Sequence, residues 1–292
     1  DYELDPRYAY AETCAALGSL FWNWEMARLT GEARYSDLFE WQLYNAAAVG
    51  MGLDGRSYLY NNPLACRGGV ERKPWYAIPC CPSNLSRTWA SLAAYVCSEE
   101  PGCLRIHQYV SSRLEAAIDL PETGESITVK VEMVSGLPWQ GSVRLRITGV
   151  DGGGAGEPVP FDIQLRLPTW TGNIAVAVNG SDVVECGPAQ ANADDVTASG
   201  YDPRPASFHT LRRAWAAGDE IAITFDMPVV LRRTHPRVKG QRGMLALTRG
   251  PLVYCLESLD NPGVDIFSAR LDPATLKPLY DDILGGVVKI QA

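Results

Sequence analysis

Two adjacent thiols, Cys80 and Cys81, stand in Trp75-Tyr76-Ala77-Ile78-Pro79-Cys80-Cys81-Pro82-Ser83-Asn84-Leu85-Ser86-Arg87, directly before a helical pattern. A second small cluster, Glu12 and Cys14, lies upstream in Tyr10-Ala11-Glu12-Thr13-Cys14. Three sulfurs and one carboxylate make a complete donor set for a tetrahedral Zn2+ ion. A metal-held thiolate just outside a helix N-terminus is also a nucleophile, because the helix dipole and the metal both favour the anionic sulfur. The residues alone leave three plainer readings of the pair open: two buried thiols, a vicinal disulfide, or two ligands of a purely structural zinc. Their spacing matches none of the common zinc-finger patterns. Glu12 and Cys14 add a geometric demand. Positions i and i+2 of a regular helix point about 200° apart, so both reach one ion only if the helix starts at Cys14 or later, or if the backbone is distorted.

The elements that must position these groups change character along the chain. Apolar Leu17, Leu20, Phe21 and Trp24 recur at helical spacing between Tyr8 and Arg28, with Thr30-Gly31 as a stop. A second helix is predicted from about Tyr35 to Val49, with Leu38, Trp41, Leu43 and Tyr44 as its apolar side, broken by Gly50, Gly52 and Gly55. Residues 56–82 read as a long irregular loop, longer than an ordinary connection and therefore a candidate functional loop. Ser83 is the expected N-cap of a third helix running through Trp89, Leu92 and Val96.

Beyond Pro101-Gly102 the period becomes two. Residues 127–133, 142–147 and 162–167 alternate apolar with polar side chains, and 174–178, 220–225, 244–247 and 252–255 have strand composition. Short strands between Gly- and Pro-rich turns predict an antiparallel sandwich. Gly152 to Gly156 reads as a flexible loop, Gly187 to Pro205 as a polar excursion, and 287–292 as a strand with no closing partner.

The 292 residues have room for two domains, and 46% apolar with 21% charged residues is a soluble globular composition. A net charge of −8 argues against a nucleic-acid surface or an anionic membrane as partner. No apolar run approaches the roughly 20 residues that span a bilayer. Eight cysteines are too sparse for a disulfide scaffold, and Cys97 and Cys255 read as buried small hydrophobes. The chain opens without Met, on Asp1-Tyr2-Glu3-Leu4-Asp5-Pro6, which reads as the interior of a longer protein.

Five segments together resemble glycoside hydrolase family 127, the β-L-arabinofuranosidase-like proteins. They are Asp1 to Leu4, Tyr10 to Cys14, Tyr58-Leu59-Tyr60-Asn61-Asn62-Pro63-Leu64, Cys80 to Arg87 and Arg249-Gly250-Pro251-Leu252-Val253-Tyr254, in the family's order across most of the chain. The resemblance implies the C-terminal part of an (α/α)6 catalytic barrel over residues 1–100. An antiparallel β-sandwich over 101–235 and the start of a further β unit over 236–292 would follow. By the same resemblance Glu12, Cys14, Cys80 and Cys81 correspond to Zn2+ ligands, Cys80 to the nucleophile, and Tyr60 to a tyrosine lining the sugar pocket. The implied reaction is hydrolysis of a β-L-arabinofuranoside or a related rare sugar, with net retention through a glycosylated cysteine.

The family's acid/base glutamate and its sugar-binding histidines would lie upstream of Asp1, so the expectation is an active whole protein and an inactive isolated stretch. Trp75 and Tyr76 are placed to wall a furanose ring or to pack under the loop. Arg72, Lys73 and Arg87 flank the site, and solvated surface is their plain role. His107, His209 and His235 are expected to serve local hydrogen bonding. The rival expectation is a zinc-stapled carbohydrate-binding or structural module, with Trp139 and Trp170 stacking on sugars. A thiol-redox pair ranks third, since Cys80-Cys81 lacks a two-residue spacer. A thiolate mechanism suits a reducing cytoplasm, and assembly into a homo-oligomer is left open.

Overall fold

The computed structural model describes residues 5, 7–152, 157–186, 206–235 and 237–291, with no side-chain description for 182–186. The expected polar excursion at 187–205, and most of the expected glycine loop, lie outside these residues.

Three α-helices come first: α1 (Thr13–Thr30), α2 (Ala33–Gln42) and α3 (Cys80–Ala90). Helix α1 stops where Gly31 takes the left-handed conformation (φ 68°) and its N–H caps the Ala27 carbonyl. A side chain there would be strained, which is why glycine ends the helix. Leu17, Leu20 and Trp24 bury one face of α1 against Phe39, Leu43, Ala47, Tyr58 and Leu85. Helix α2 begins and ends earlier than its apolar pattern suggests. It passes at Leu43–Ala47 into a π-helical turn and then a 3-10 turn at Ala48–Gly50. Its buried face also differs from the expected one: Leu38 is exposed, whereas Ser36, Phe39 and Glu40 are buried. Helix α3 starts at Cys80, three residues before Ser83, so Ser83 is not its cap. Pro82 is accommodated because first-turn N–H groups have no helical acceptor, and the Ser83 hydroxyl instead donates to the Pro79 carbonyl at 2.8 Å.

Strands then follow. One sheet contains β1 (Cys97–Glu100), β2 (Cys103–Ile106), β6 (Val159–Leu167) and β9 (Ser207–Trp215), in that order. The second has the order β3-β4-β5-β10-β7-β8, formed by β3 (Ser112–Asp119), β4 (Ser126–Ser135), β5 (Ser142–Asp151), β7 (Ile174–Val178), β8 (Ser181–Cys186) and β10 (Glu220–Phe225). Ile118, Val129, Leu145, Val176 and Ile221 from the larger sheet share one core with Leu104, Ile163, Leu165 and Trp215 from the smaller. All pairings in these sheets are antiparallel except β2 with β6, which run parallel. The sandwich is therefore mixed. Trp170 is 5% exposed inside it, so it is core and not a sugar platform.

A three-stranded sheet, β11 (Val229–Arg233), β12 (Leu245–Arg249) and β13 (Leu252–Tyr254), and a pair, β14 (Lys277–Asp281) with β15 (Val287–Gln291), complete the chain. The C-terminal strand thus has a partner, which composition alone did not reveal. Against expectation Cys255 is exposed and Cys97 only half-buried, while Cys103 is buried.

Two of the polar joints that attach the helices to the β structure are built on single side chains, Arg166 and Asn45. Arg166 on β6 is fully buried and donates at 2.6 Å to each of the His107 carbonyl, Asp37 Oδ1 and Glu40 Oε1. Trp170 Nε1 donates to the other Glu40 oxygen and the Thr169 hydroxyl to Asp37. Glu40 is buried on α2 because it meets this cation. The second joint is Asn45, within the π-helical turn. Its Nδ2 donates to the Trp41 and Pro251 carbonyls, and its Oδ1 accepts from the Val253 N–H at 2.8 Å. One side chain thereby occupies the bonding edge of the turn between β12 and β13.

Candidate metal centre and active site

Helices α1 and α3 point their N-termini at one place. Glu12 is the residue before α1, with extended backbone (φ −74°, ψ 133°), so it lies outside the helical twist and the i, i+2 conflict with Cys14 disappears. A bridge from Glu12 to Asn61 stitches α1 to the loop, with Thr13 N–H donating to the Tyr60 carbonyl at 3.0 Å and Thr13 Oγ1 to the Leu59 carbonyl at 2.9 Å. That places Tyr60 beside the start of α1. Gly50 lets the third wall close, since a Cβ there would stand 2.9 Å from Thr13 Cγ2 and 3.0 Å from Leu85 Cδ1.

Among the described residues, Glu12, Cys14, Cys80 and Cys81 bring one ligand atom each to within 4.8 Å of one another. Cys80 Sγ is 4.0 Å from Cys81 Sγ and 3.9 Å from Glu12 Oε1, and Cys81 Sγ is 3.8 Å from Glu12 Oε1. A tetrahedron built on Zn–S bonds of ~2.3 Å has sulfur–sulfur edges of about 3.8 Å. The donor chemistry fits a zinc ion, and the three edges among Glu12, Cys80 and Cys81 are close to those of such a tetrahedron. Neither helix has a side-chain cap at this end. Each N-terminus contributes roughly half a positive charge, which offsets part of the charge of four anionic donors.

The three sulfurs are not equivalent. Cys80 is half-buried and has the Tyr60 hydroxyl 3.1 Å away. The hydrogen bond from Tyr60 is the main reason its thiol pKa is lowered, and the same bond pushes the Tyr60 phenol up. Cys81 is buried, and burial pushes its thiol up. Burial also raises Cys14, outweighing the hydrogen bond it accepts from Asn84. Without a metal, Cys80 is therefore the sulfur of this trio closest to the thiolate form.

The other residues singled out by their place in the sequence divide into rim, support and remote groups. Trp75 is 57% exposed, its ring edge-on to Tyr58. Tyr76 is a strut: its hydroxyl donates to the Tyr58 carbonyl at 2.9 Å and accepts from Tyr60 N–H at 3.2 Å. Arg72 donates to the Val49 carbonyl, and Arg87 to Asn84 Oδ1. His107 is remote from the thiols. It sits between the Ser36 and Ser98 hydroxyls at 2.7 and 2.8 Å, where burial, then Arg105 and Arg166, push its pKa down to about 3. Sequence reasoning does not find Asn84 as a neighbour of Cys14, nor the Arg166 joint. Both are polar residues at helix or strand positions that look solvent-facing until the partner element is in place.

A short helical unit with a carboxylate–thiol centre, joined to a sandwich and further sheets, defines the class of protein. Three family models match successive parts of the chain: the GH127 β-L-arabinofuranosidase catalytic domain over residues 1–94, the middle domain over 103–227 and the family 127 C-terminal domain over 229–284. The chain belongs to glycoside hydrolase family 127. It is 32% identical to a non-reducing end β-L-arabinofuranosidase of Bifidobacterium longum subsp. longum, over 98% of this chain and 42% of that protein. A GH127 β-L-arabinofuranosidase from Geobacillus stearothermophilus T6 superimposes with a TM-score of 0.78 at 32% identity, covering 99% of this chain and 43% of that one. A GH127 β-arabinofuranosidase does so with 0.75 at 30% identity, covering 99% and 44%. The chain thus spans less than half the length of these relatives. No helix among the described residues is long and apolar enough to cross a membrane.

Proposed function

We propose that this chain carries the metal-binding and nucleophile-bearing part of a retaining glycosidase that acts on β-L-arabinofuranosides or a related rare sugar. Its three helices would be the closing portion of an (α/α)6 barrel. The observation that carries the reading is the meeting of the Glu12, Cys14, Cys80 and Cys81 ligand atoms within 4.8 Å of one another, with Tyr60 on Cys80. Membership of the family supports it.

Zn2+, held by these four residues, would supply one thing: three sulfurs kept deprotonated at neutral pH. The rest is done by the chain. Cys80 Sγ, directed by the Tyr60 hydroxyl, attacks the anomeric carbon as the bond to the aglycone oxygen breaks. That oxygen takes its proton from a general acid, which the family resemblance puts upstream of Asp1. Water, deprotonated by the same group, then displaces the sulfur from the sugar and returns the Cys80 thiolate. Two inversions give net retention. Trp75, exposed at the rim, offers an apolar wall to the ring.

The test uses the whole protein and an aryl β-L-arabinofuranoside. Cys80→Ser is expected to abolish turnover while zinc content falls only in part, and a sugar-derived electrophile is expected to add its mass to Cys80. Undiminished turnover by Cys80→Ser would remove the nucleophile from this reading.

A further inference from the structure

We infer that Asn84 is a positioning residue for the metal centre, holding the Cys14 sulfur in place and taking up part of its charge when it ligates the ion. The inference rests on the zinc reading above. Asn84 is on α3, one helical turn after Cys80, and its Nδ2 lies 3.2 Å from Cys14 Sγ on α1. The orientation of its amide is decided by chemistry. Arg87 Nε is 2.7 Å from the other end of the amide, and a guanidinium nitrogen only donates. The atom facing Arg87 is therefore oxygen, and the atom facing Cys14 is the NH2 group. The sulfur is left as acceptor, the role a metal-bound thiolate fills best.

Arg87 is itself anchored. Its guanidinium lies over the Phe21 ring at 4.6 Å, and Phe21 is on α1, two turns after Cys14. Phe21, Arg87, Asn84 and Cys14 thus close a loop of contacts between α1 and α3. Each flanking sulfur acquires its own donor: the Tyr60 hydroxyl for Cys80 and the Asn84 amide for Cys14. An N–H donor on a ligand orients it and moderates its electron donation, and loss of such partners typically costs about 10–100-fold in metal affinity. The geometry also explains a division of labour. Cys14 accepts an N–H from the facing helix, whereas the leading donor to Cys80 is the Tyr60 hydroxyl from the loop.

Zinc affinity is measured on the full chain by competition with a chromophoric chelator, and the Co2+-loaded chain is examined for its sulfur-to-cobalt charge-transfer bands. Asn84→Ala is expected to lose about 10–100-fold in affinity and to alter those bands. Asn84→Asp, which sets a carboxylate against the sulfur but still satisfies Arg87, is expected to lose more. Arg87→Ala frees the amide without touching a sulfur and is expected to fall in between. Ser83→Ala, on the exposed side of the same turn, is expected to match the parent. Should Asn84→Ala fail to fold, Asn84→Asp and Arg87→Ala carry the test. Parent-like affinity and cobalt bands in the folded Asn84 and Arg87 variants overturn the inference, whereas a parent chain that binds no zinc overturns the reading beneath it.

Discussion

Replacing Arg166 by Met removes the cation at the helix–sandwich joint while keeping most of its volume. The guanidinium has no solvent exposure and serves two carboxylates, with Asp37 12% and Glu40 3% exposed. Loss of one partner strands buried charge, a change that costs about 3–5 kcal/mol. Urea denaturation followed by tryptophan fluorescence measures it. With a slope near ~3 kcal/mol/M for a chain of this size, the midpoint of the transition that separates helices from sandwich moves down by about 1–1.7 M. The triple variant Arg166→Met, Asp37→Asn, Glu40→Gln keeps the shapes, retains an oxygen for Trp170 Nε1, and removes the stranded charge. It is expected to recover at least half of the loss. A loss below about 1 kcal/mol in the single variant, or a triple no better than the single, would refute the idea that charge pairing decides stability at this joint.

Other measurements follow from the same geometry. The His107 imidazole titrates at about 3 when folded against 6.5 as its ordinary value. Protons therefore favour the unfolded chain, and the contribution is whole above that value and drains as pH falls toward the folded one. Stability is expected to drop by about 2 kcal/mol between pH 7 and pH 5 and to flatten in His107→Gln, and equal slopes in the two proteins would contradict this. In the metal-free chain, iodoacetamide followed by peptide mapping is expected to modify Cys80 well before Cys81, and Tyr60→Phe is expected to slow labelling of Cys80 while leaving exposed Cys66 unchanged. Gly50→Ala pushes a methyl into Thr13 and Leu85. A cost of about 1–3 kcal/mol by denaturation is expected, with weaker zinc binding.

The sandwich is legible in alternation and in composition: the alternating segments all fall inside longer strands, and Ile174–Val178 and Glu220–Phe225, read from composition, stand at their expected limits. Strands β1 and β2 escape, because Cys97–Ile106 follows directly on a helical pattern and β2 is buried along its whole length, so no alternation marks it, whereas β3 does alternate and is missed all the same. Sulfur and carboxylate cluster visibly in a sequence because few other roles call for Cys-Cys after Pro. Asp37 and Glu40 carry no such mark. On an amphipathic helix they look solvated, and only Arg166, 126 to 129 positions away, makes their burial sensible. The start of α3 is hidden for a local reason, since Ser83 and the Pro82 before it imitate a cap.

The Asn45 clamp has a consequence for how the protein is made. Its acceptor and donor on the far side lie 206 and 208 positions later. At roughly 5–20 residues per second, about 10–40 s pass on the ribosome before Pro251 and Val253 are even synthesised. Until then the π-helical turn lacks its fastener to the C-terminal sheet. The helices that carry Cys14, Cys80 and Cys81 are therefore synthesised well before this fastener to the C-terminal sheet exists.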